Sequence, residues 1–173
     1  MNEIIENMKT RRSVRSFKAD IPDKATVDAI IDAGLRAPSG KNMQSSIVIA
    51  VTNKEIRDKL SSANAKVMGS SGDPFYGAPA ILIVLAKRDF PTYIYDGSLV
   101  MGNLMLAAHS LGIASCWIHR AREVFELPEW REWLRSIGVG NEYEGIGNCV
   151  IGYADGEYPA AKEIREGRIF FVE

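Results

Sequence analysis

The sequence predicts one α+β domain spanning residues 1–173. Three observations carry this reading. An uncharged, apolar stretch from Gly97 to Leu111 is bounded by Asp96, a capping residue, and Gly112, which tolerates the left-handed conformation past a helix. Short apolar runs at Ser46–Thr52, Ala80–Lys87, Ile113–Ile118 and Asn148–Tyr153 read as strands between helical segments. No repeat, low-complexity tract or linker divides the chain.

The elements follow in order. Residues 2–10 form a short helix with Ile4, Ile5 and Met8 on one side. Pro22-Asp23 opens a second, with Val27, Ile30, Ile31 and Leu35 at helical spacing, and Pro38 ends it. Asn53 caps a third helix, through Leu60 and Ala63, and residues 66–79 read as loop. In the 97–111 helix, Leu99, Val100, Met101, Leu104, Met105, Leu106 and Leu111 lie all round the cylinder. Such a helix is covered on every side, by its own chain or by a second copy. Glu123–Val139 is helical with a break near Pro128. Arg168–Val172 reads as a terminal strand that a second subunit would pair.

Composition narrows the function. A net charge of −1 argues against whole-surface nucleic-acid binding. The helix at 97–111 is too short to span a membrane, and the acidic N-terminus is unlike a signal peptide, so a cytoplasmic protein is expected. Cys116 and Cys149 sit in apolar segments as reduced thiols, and with His109 and His119 they give no metal-ligand spacing. His109 reads as structural. Gly97-x-x-x-x-Gly102 lacks the Lys and Ser/Thr of a phosphate loop. Gly138-Val139-Gly140 and Gly145-Ile146-Gly147 lack the third glycine and βαβ context of a dinucleotide fingerprint. No pair of carboxylates serves as acid and base. The chain therefore relies on a bound cofactor or only binds.

Two stretches remain. Lys9 to Lys18 holds five basic residues and no acid. If extended, it places Arg11, Ser13 and Arg15 on one face, two guanidinium forks about a hydroxyl, a set that suits a phosphate dianion. A solvated basic loop is the plainer reading. Pro38 to Gln44 is rich in small and amide residues, suited to lie against a heterocycle or to connect a helix to a strand.

Together these stretches resemble the nitroreductase family of flavin mononucleotide (FMN) oxidoreductases. The matching pieces are Arg11-Arg12-Ser13-Val14-Arg15, Ala37-Pro38-Ser39-Gly40-Lys41-Asn42-Met43-Gln44, Gly77-Ala78-Pro79-Ala80, and Asn103–Ala108 leading to Leu111–Ile118. Cys116–Ala121 and Gly145–Tyr153 are similar to a compact branch of it. The resemblance implies a mixed, mostly antiparallel sheet flanked by helices in an interlocked homodimer, with two FMN sites at the interface. Arg11, Ser13 and Arg15 would hold the phosphate and ribityl chain, with Arg12 near the ribityl or ring, where it would stabilise reduced flavin. Pro38, Ser39, Gly40 and Asn42 would come from the partner, and Gln44 would approach the ring. The backbone at Trp117, Ile118 and His119 would face it, and Arg165 would join the phosphate site. Phe75, Tyr76, Tyr93 and Tyr95 would wall the stacking site or simply pack.

The implied activity is transfer of electrons from NADH or NADPH to a small electron-poor acceptor, a nitroaromatic or quinone, by a ping-pong mechanism carried by FMN N5. No side chain is expected to act chemically. Other readings are reductive dehalogenation or flavin breakdown on the same fold, or a non-enzymatic anion- or nucleic-acid-binding domain. Three departures bear on this. Ser45-Ser46 stands where the family often has Pro-Trp, Ile164 stands beside Arg165 where adjacent basic residues are usual, and the insertions of longer members are absent.

Overall fold

A computed structural model describes residues 2–161 and 163–173. The helices are α1 (Glu3–Thr10), α2 (Lys24–Leu35), α3 (Lys54–Met68), α4 (Tyr93–Ser110), α5 (Ala121–Glu126) and α6 (Pro128–Ser136). The strands are β1 (Ser46–Val51), β2 (Ala80–Lys87), β3 (Ala114–Ile118) and β4 (Tyr143–Gly152). They form one sheet in the order β1-β2-β4-β3, every pairing antiparallel. The parallel component is a single bridge, Ser13 to Ser115, on the outer edge of β3. The architecture is thus the expected α+β, with less parallel pairing than a mixed sheet implies.

Alternation along the strands builds two cores. Ile81, Ile83, Leu85, Cys116, Ile118 and Val150 pack towards the α3, α5 and α6 side. Leu82, Val84, Ala86, Cys149 and Ile151 pack towards α2 and α4. The two thiols therefore lie on opposite faces, both free and buried. Burial lifts both, Cys149 to about 12.

Several elements depart from expectation. α4 begins at Tyr93, so Asp96 lies inside its first turn and does not cap it. Its far end is as expected, with Gly112 at φ 72°. One chain covers only one side of α4: Val100, Met101, Leu104 and Ala108 are buried, while Tyr95, Leu99 and Leu111 stay exposed. α3 runs on to Met68, and the break near Pro128 is a junction of two helices at Leu127. β4 starts at Tyr143, ahead of Asn148. Its Gly147 is a packing glycine, since a Cβ there would lie 2.6 Å from Trp117 Nε1. Arg168–Val172 is no strand within one chain, and Phe170 and Phe171 are 84% and 86% exposed. A strand needs an edge to pair with, and within one chain this segment lies along none.

Candidate functional site

The N-terminal cluster forms where α1 runs into the edge of β3. Val14 N–H donates to Ser115 O (3.1 Å), and Lys18 N–H to Tyr153 O (2.9 Å). These bonds keep the segment extended, with Val14 and Phe17 buried beneath it. Arg11, Ser13 and Arg15 alternate along this segment, Arg11 and Ser13 half-buried and Arg15 exposed. Burial raises the Cys116 thiol, and Arg15, Ser13 and Arg11 act against that rise, so all three lie in its electrostatic neighbourhood. Arg15 lies over the Tyr76 ring, 5.9 Å from its centroid. Arg11 Nη1 is buried with no hydrogen-bond partner among the described residues. Arg12 turns back, donating to Lys9 O and Arg11 O (2.7 Å each), and so caps the open carbonyls of α1.

Tyr76 itself is held by a network that spacing alone does not reveal. Asp73 accepts from Arg57 Nη2, Ser61 Oγ, Phe75 N–H (2.9 Å) and Gly77 N–H (2.8 Å). Burial raises its pKa, but these hydrogen bonds outweigh it and hold the carboxyl below the usual range. The network fixes Tyr76 at φ 55°, a conformation side-chain-bearing residues rarely adopt.

The second cluster is the loop Pro38–Gln44. Lys41, Asn42 and Gln44 all have positive φ (50°, 55° and 48°). Such strain persists only where surroundings over-determine it. Here Gly40 N–H donates to the buried Asp96 carboxylate (3.0 Å), which also accepts from Thr92 Oγ1 (3.0 Å). Gln44 N–H donates to Ser39 Oγ (3.0 Å), and Gln44 Nε2 to Asn42 Oδ1 (3.1 Å). A cavity of about 160 Å³ opens beside the loop, lined by Pro38, Ser39, Gln44, Ser46, Asp96 and Val100 among others. The Ser45 and Ser46 hydroxyls are buried without a partner among the described residues.

A single chain does not join the two clusters. One is anchored at Asp96 and the other beside His109, at opposite ends of α4. Thirteen residues of helix separate them, about 20 Å. Trp117 and Ile118 end β3 and His119 follows it, about 7 to 13 Å along the chain from Ser115 at the arginine cluster. Ile118 is buried, His119 exposed, and the His119 carbonyl accepts from Asn64 Nδ2 (2.8 Å). Arg165 is exposed and makes no hydrogen bond or ion pair with described residues. Among the described residues no group of His, Cys, Asp and Glu could hold a metal, and no helix is long and apolar enough to cross a membrane.

A model of the Nitroreductase family matches residues 8–74 and 66–141. The chain belongs to the nitroreductase family. A protein of Archaeoglobus fulgidus with the provisional name NADH dehydrogenase/NAD(P)H nitroreductase is 30% identical over 143 residues, 75% of this chain and 79% of that one. An FMN reductase [NAD(P)H] of Bacillus subtilis is 28% identical over 171 residues, 82% of this chain and 66% of that one. A nitroreductase from Bacteroides fragilis, solved with bound FMN, is 32% identical with a TM-score of 0.90 over 100% of both chains. Another FMN-bound nitroreductase, from Desulfitobacterium hafniense, is 27% identical with a TM-score of 0.88, again over 100% of both. The chain thus has the nitroreductase fold.

Proposed function

We propose that this nitroreductase-family chain, one domain over 1–173, is an FMN-dependent oxidoreductase that carries electrons from NADH or NADPH to small electron-poor acceptors such as nitroaromatics or quinones. The observation that carries the reading is the split site. An anion-suited cluster with a buried, unpaired guanidinium nitrogen and a strained amide-rich loop sit at opposite ends of one helix. A second copy packed against the exposed face of α4, running antiparallel, brings the loop of one protomer to the arginines of the other. The exposed Tyr95, Leu99 and Leu111 supply the apolar surface for that packing. The outer edge of β1 carries no described strand, and it offers the partner's Ile169–Val172 segment a place to pair. The protein is therefore read as a homodimer. Two free thiols suit a reducing, cytoplasmic setting.

The residues fit a mononucleotide. Arg11 and Arg15 charge and fork around Ser13 hold the phosphate. From there β3 runs to Trp117 and Ile118, with His119 just past its end; their backbone would line the ring, Pro38, Ser39, Gly40 and Asn42 of the partner's loop would help to hold it, and Gln44 would approach it. Arg12 turns towards the flavin only by releasing the Lys9 and Arg11 carbonyls. Arg165 joins the phosphate when the C-terminal segment docks. FMN, when bound, supplies the hydride chemistry. The protein orients the ring and leaves one face open to donor and acceptor in alternation, a ping-pong scheme.

The test is colour and turnover. Purified protein is expected to be yellow, to bleach with NADH or NADPH, and to be reoxidised by a nitrofuran or quinone. Protein that stays colourless after FMN addition overturns the proposal. Turnover of halogenated phenols instead of nitroaromatics would assign dehalogenation on the same fold.

A further inference from the structure

Thr10 is the last residue of α1 and the neighbour of Arg11. Its hydroxyl lies 2.8 Å from the Glu6 carbonyl and 2.9 Å from His109 Nε2. A hydroxyl carries one hydrogen and a carbonyl can only accept, so that hydrogen goes to Glu6. The contact with His109 is then made by an Nε2–H that donates to Thr10. Burial, and after it the charges of Arg11 and Arg12, push the His109 pKa below its usual value and favour the neutral ring, and the contact with Thr10 assigns the ring's one proton to Nε2. The Tyr158 ring lies beside the imidazole, 6.0 Å between centroids.

This matters because α1 buries no side chain of its own. Its C-terminal turn is tied to the last turns of α4 by Asn7 Nδ2, which donates to Leu106 O (3.0 Å), and by His109. Arg11 follows directly, with its buried and unpaired Nη1. Its reach is therefore set by where Thr10 is held. The free Nδ1 lone pair of His109 would repel an anion, so the imidazole acts through Thr10 and not by touching phosphate.

We propose that His109 is a positioning residue of the anion cluster: a neutral Nε2–H imidazole that holds Thr10 and thereby sets where Arg11 meets the phosphate of the mononucleotide. The inference rests on the reading of Arg11, Ser13 and Arg15 as phosphate ligands. Its test is the affinity of FMN against riboflavin, the same ring without phosphate, measured by flavin fluorescence on the intact protein and its variants. His109→Ala and Thr10→Val are each expected to weaken FMN about five- to tenfold, and riboflavin less than about twofold. The double variant should be no weaker than the worse single one, because the two side chains act as one contact. His109→Gln, which keeps a donor at similar reach, should recover most of the loss. Equal weakening of both flavins, unchanged FMN affinity, or additive losses overturns the proposal. Nitrogen NMR of the imidazole should show the Nε2–H tautomer. An Nδ1–H tautomer in protein that binds FMN normally sinks the clamp alone, whereas wild-type protein that binds neither flavin sinks the FMN reading and the phosphate role with it.

Discussion

The two ends of α4 hold their clients by opposite means. At its N-terminal end a buried carboxylate, Asp96, accepts from Gly40 N–H and Thr92 Oγ1 and pins a loop with positive φ at Lys41, Asn42 and Gln44. At its C-terminal end a half-buried imidazole and a backbone carbonyl hold α1, a helix with no buried residue. The polarity of the helix suits both choices: negative charge is favoured at its first turn, and a donor at its last. The difference lies in rigidity. A charge-assisted bond in a buried setting fixes strained backbone, whereas neutral, half-exposed bonds leave α1 only lightly held.

The strongest way to break this contrast is at Asp96. Asp96→Ala removes the acceptor from Gly40 N–H and releases the strained loop, which should cost about 2–4 kcal/mol of stability in a denaturant titration. Amide exchange should rise over residues 39–44 and leave α1 unchanged. A loss below about 0.5 kcal/mol, the scale of an ordinary surface substitution, would show that the loop holds its own shape.

Arg15→Ala probes the other end. Arg15 is exposed, so melting of the apoprotein should scarcely move. FMN affinity should fall about tenfold or more through loss of a charge-assisted pair, with riboflavin unaffected. Equal FMN affinity in the variant would remove Arg15 from the phosphate site. Asp73 gives a smaller, pH-dependent effect on the loop that carries Tyr76 beneath Arg15. Its folded pKa lies below the ordinary carboxylate value, so its contribution to stability is present above that value and lost as pH falls through the lower, folded one. Asp73→Asn should flatten the acid limb of the stability profile, and an unchanged limb would assign that loss to other carboxylates.

Sequence alone carried the elements whose signals are local. Asp23 caps α2 by accepting from Thr26 N–H (2.8 Å), Asn53 caps α3 by accepting from Ile56 N–H (3.0 Å), and β2 occupies Ala80–Lys87 as its apolar run predicts. The start of β4 is not legible because Gly145 and Gly147 interrupt its apolar run ahead of Asn148, although Gly147 is required by the Trp117 ring packed on it. The start of α4 was hidden because Asp96 looks like a cap, while its carboxylate is engaged by a loop more than fifty positions away. Of the candidate residues, Arg11, Ser13 and Arg15 fall at alternating positions of an extended segment, as their spacing predicts. The turn of Arg12 onto the Lys9 and Arg11 carbonyls is a rotamer choice, and the Asp73 network and the Thr10–His109 contact are tertiary; no spacing encodes any of them.

Asn7→Ala gives the smallest expected effect and the finest test of how α1 is held. The substitution removes the bond to Leu106 O and exposes that carbonyl to water, at a cost of about 0.5–1 kcal/mol. Since α1 buries nothing, the loss should appear as faster amide exchange in α1 with little change in global unfolding. If His109 alone suffices to place Thr10, FMN affinity should hold within about twofold. If affinity instead drops as far as in His109→Ala, the two bonds form one clamp and neither places the arginines by itself. A global loss as large as that of Asp96→Ala would erase the contrast between the two ends, because it would mean that α1 is as firmly built into the fold as the strained loop.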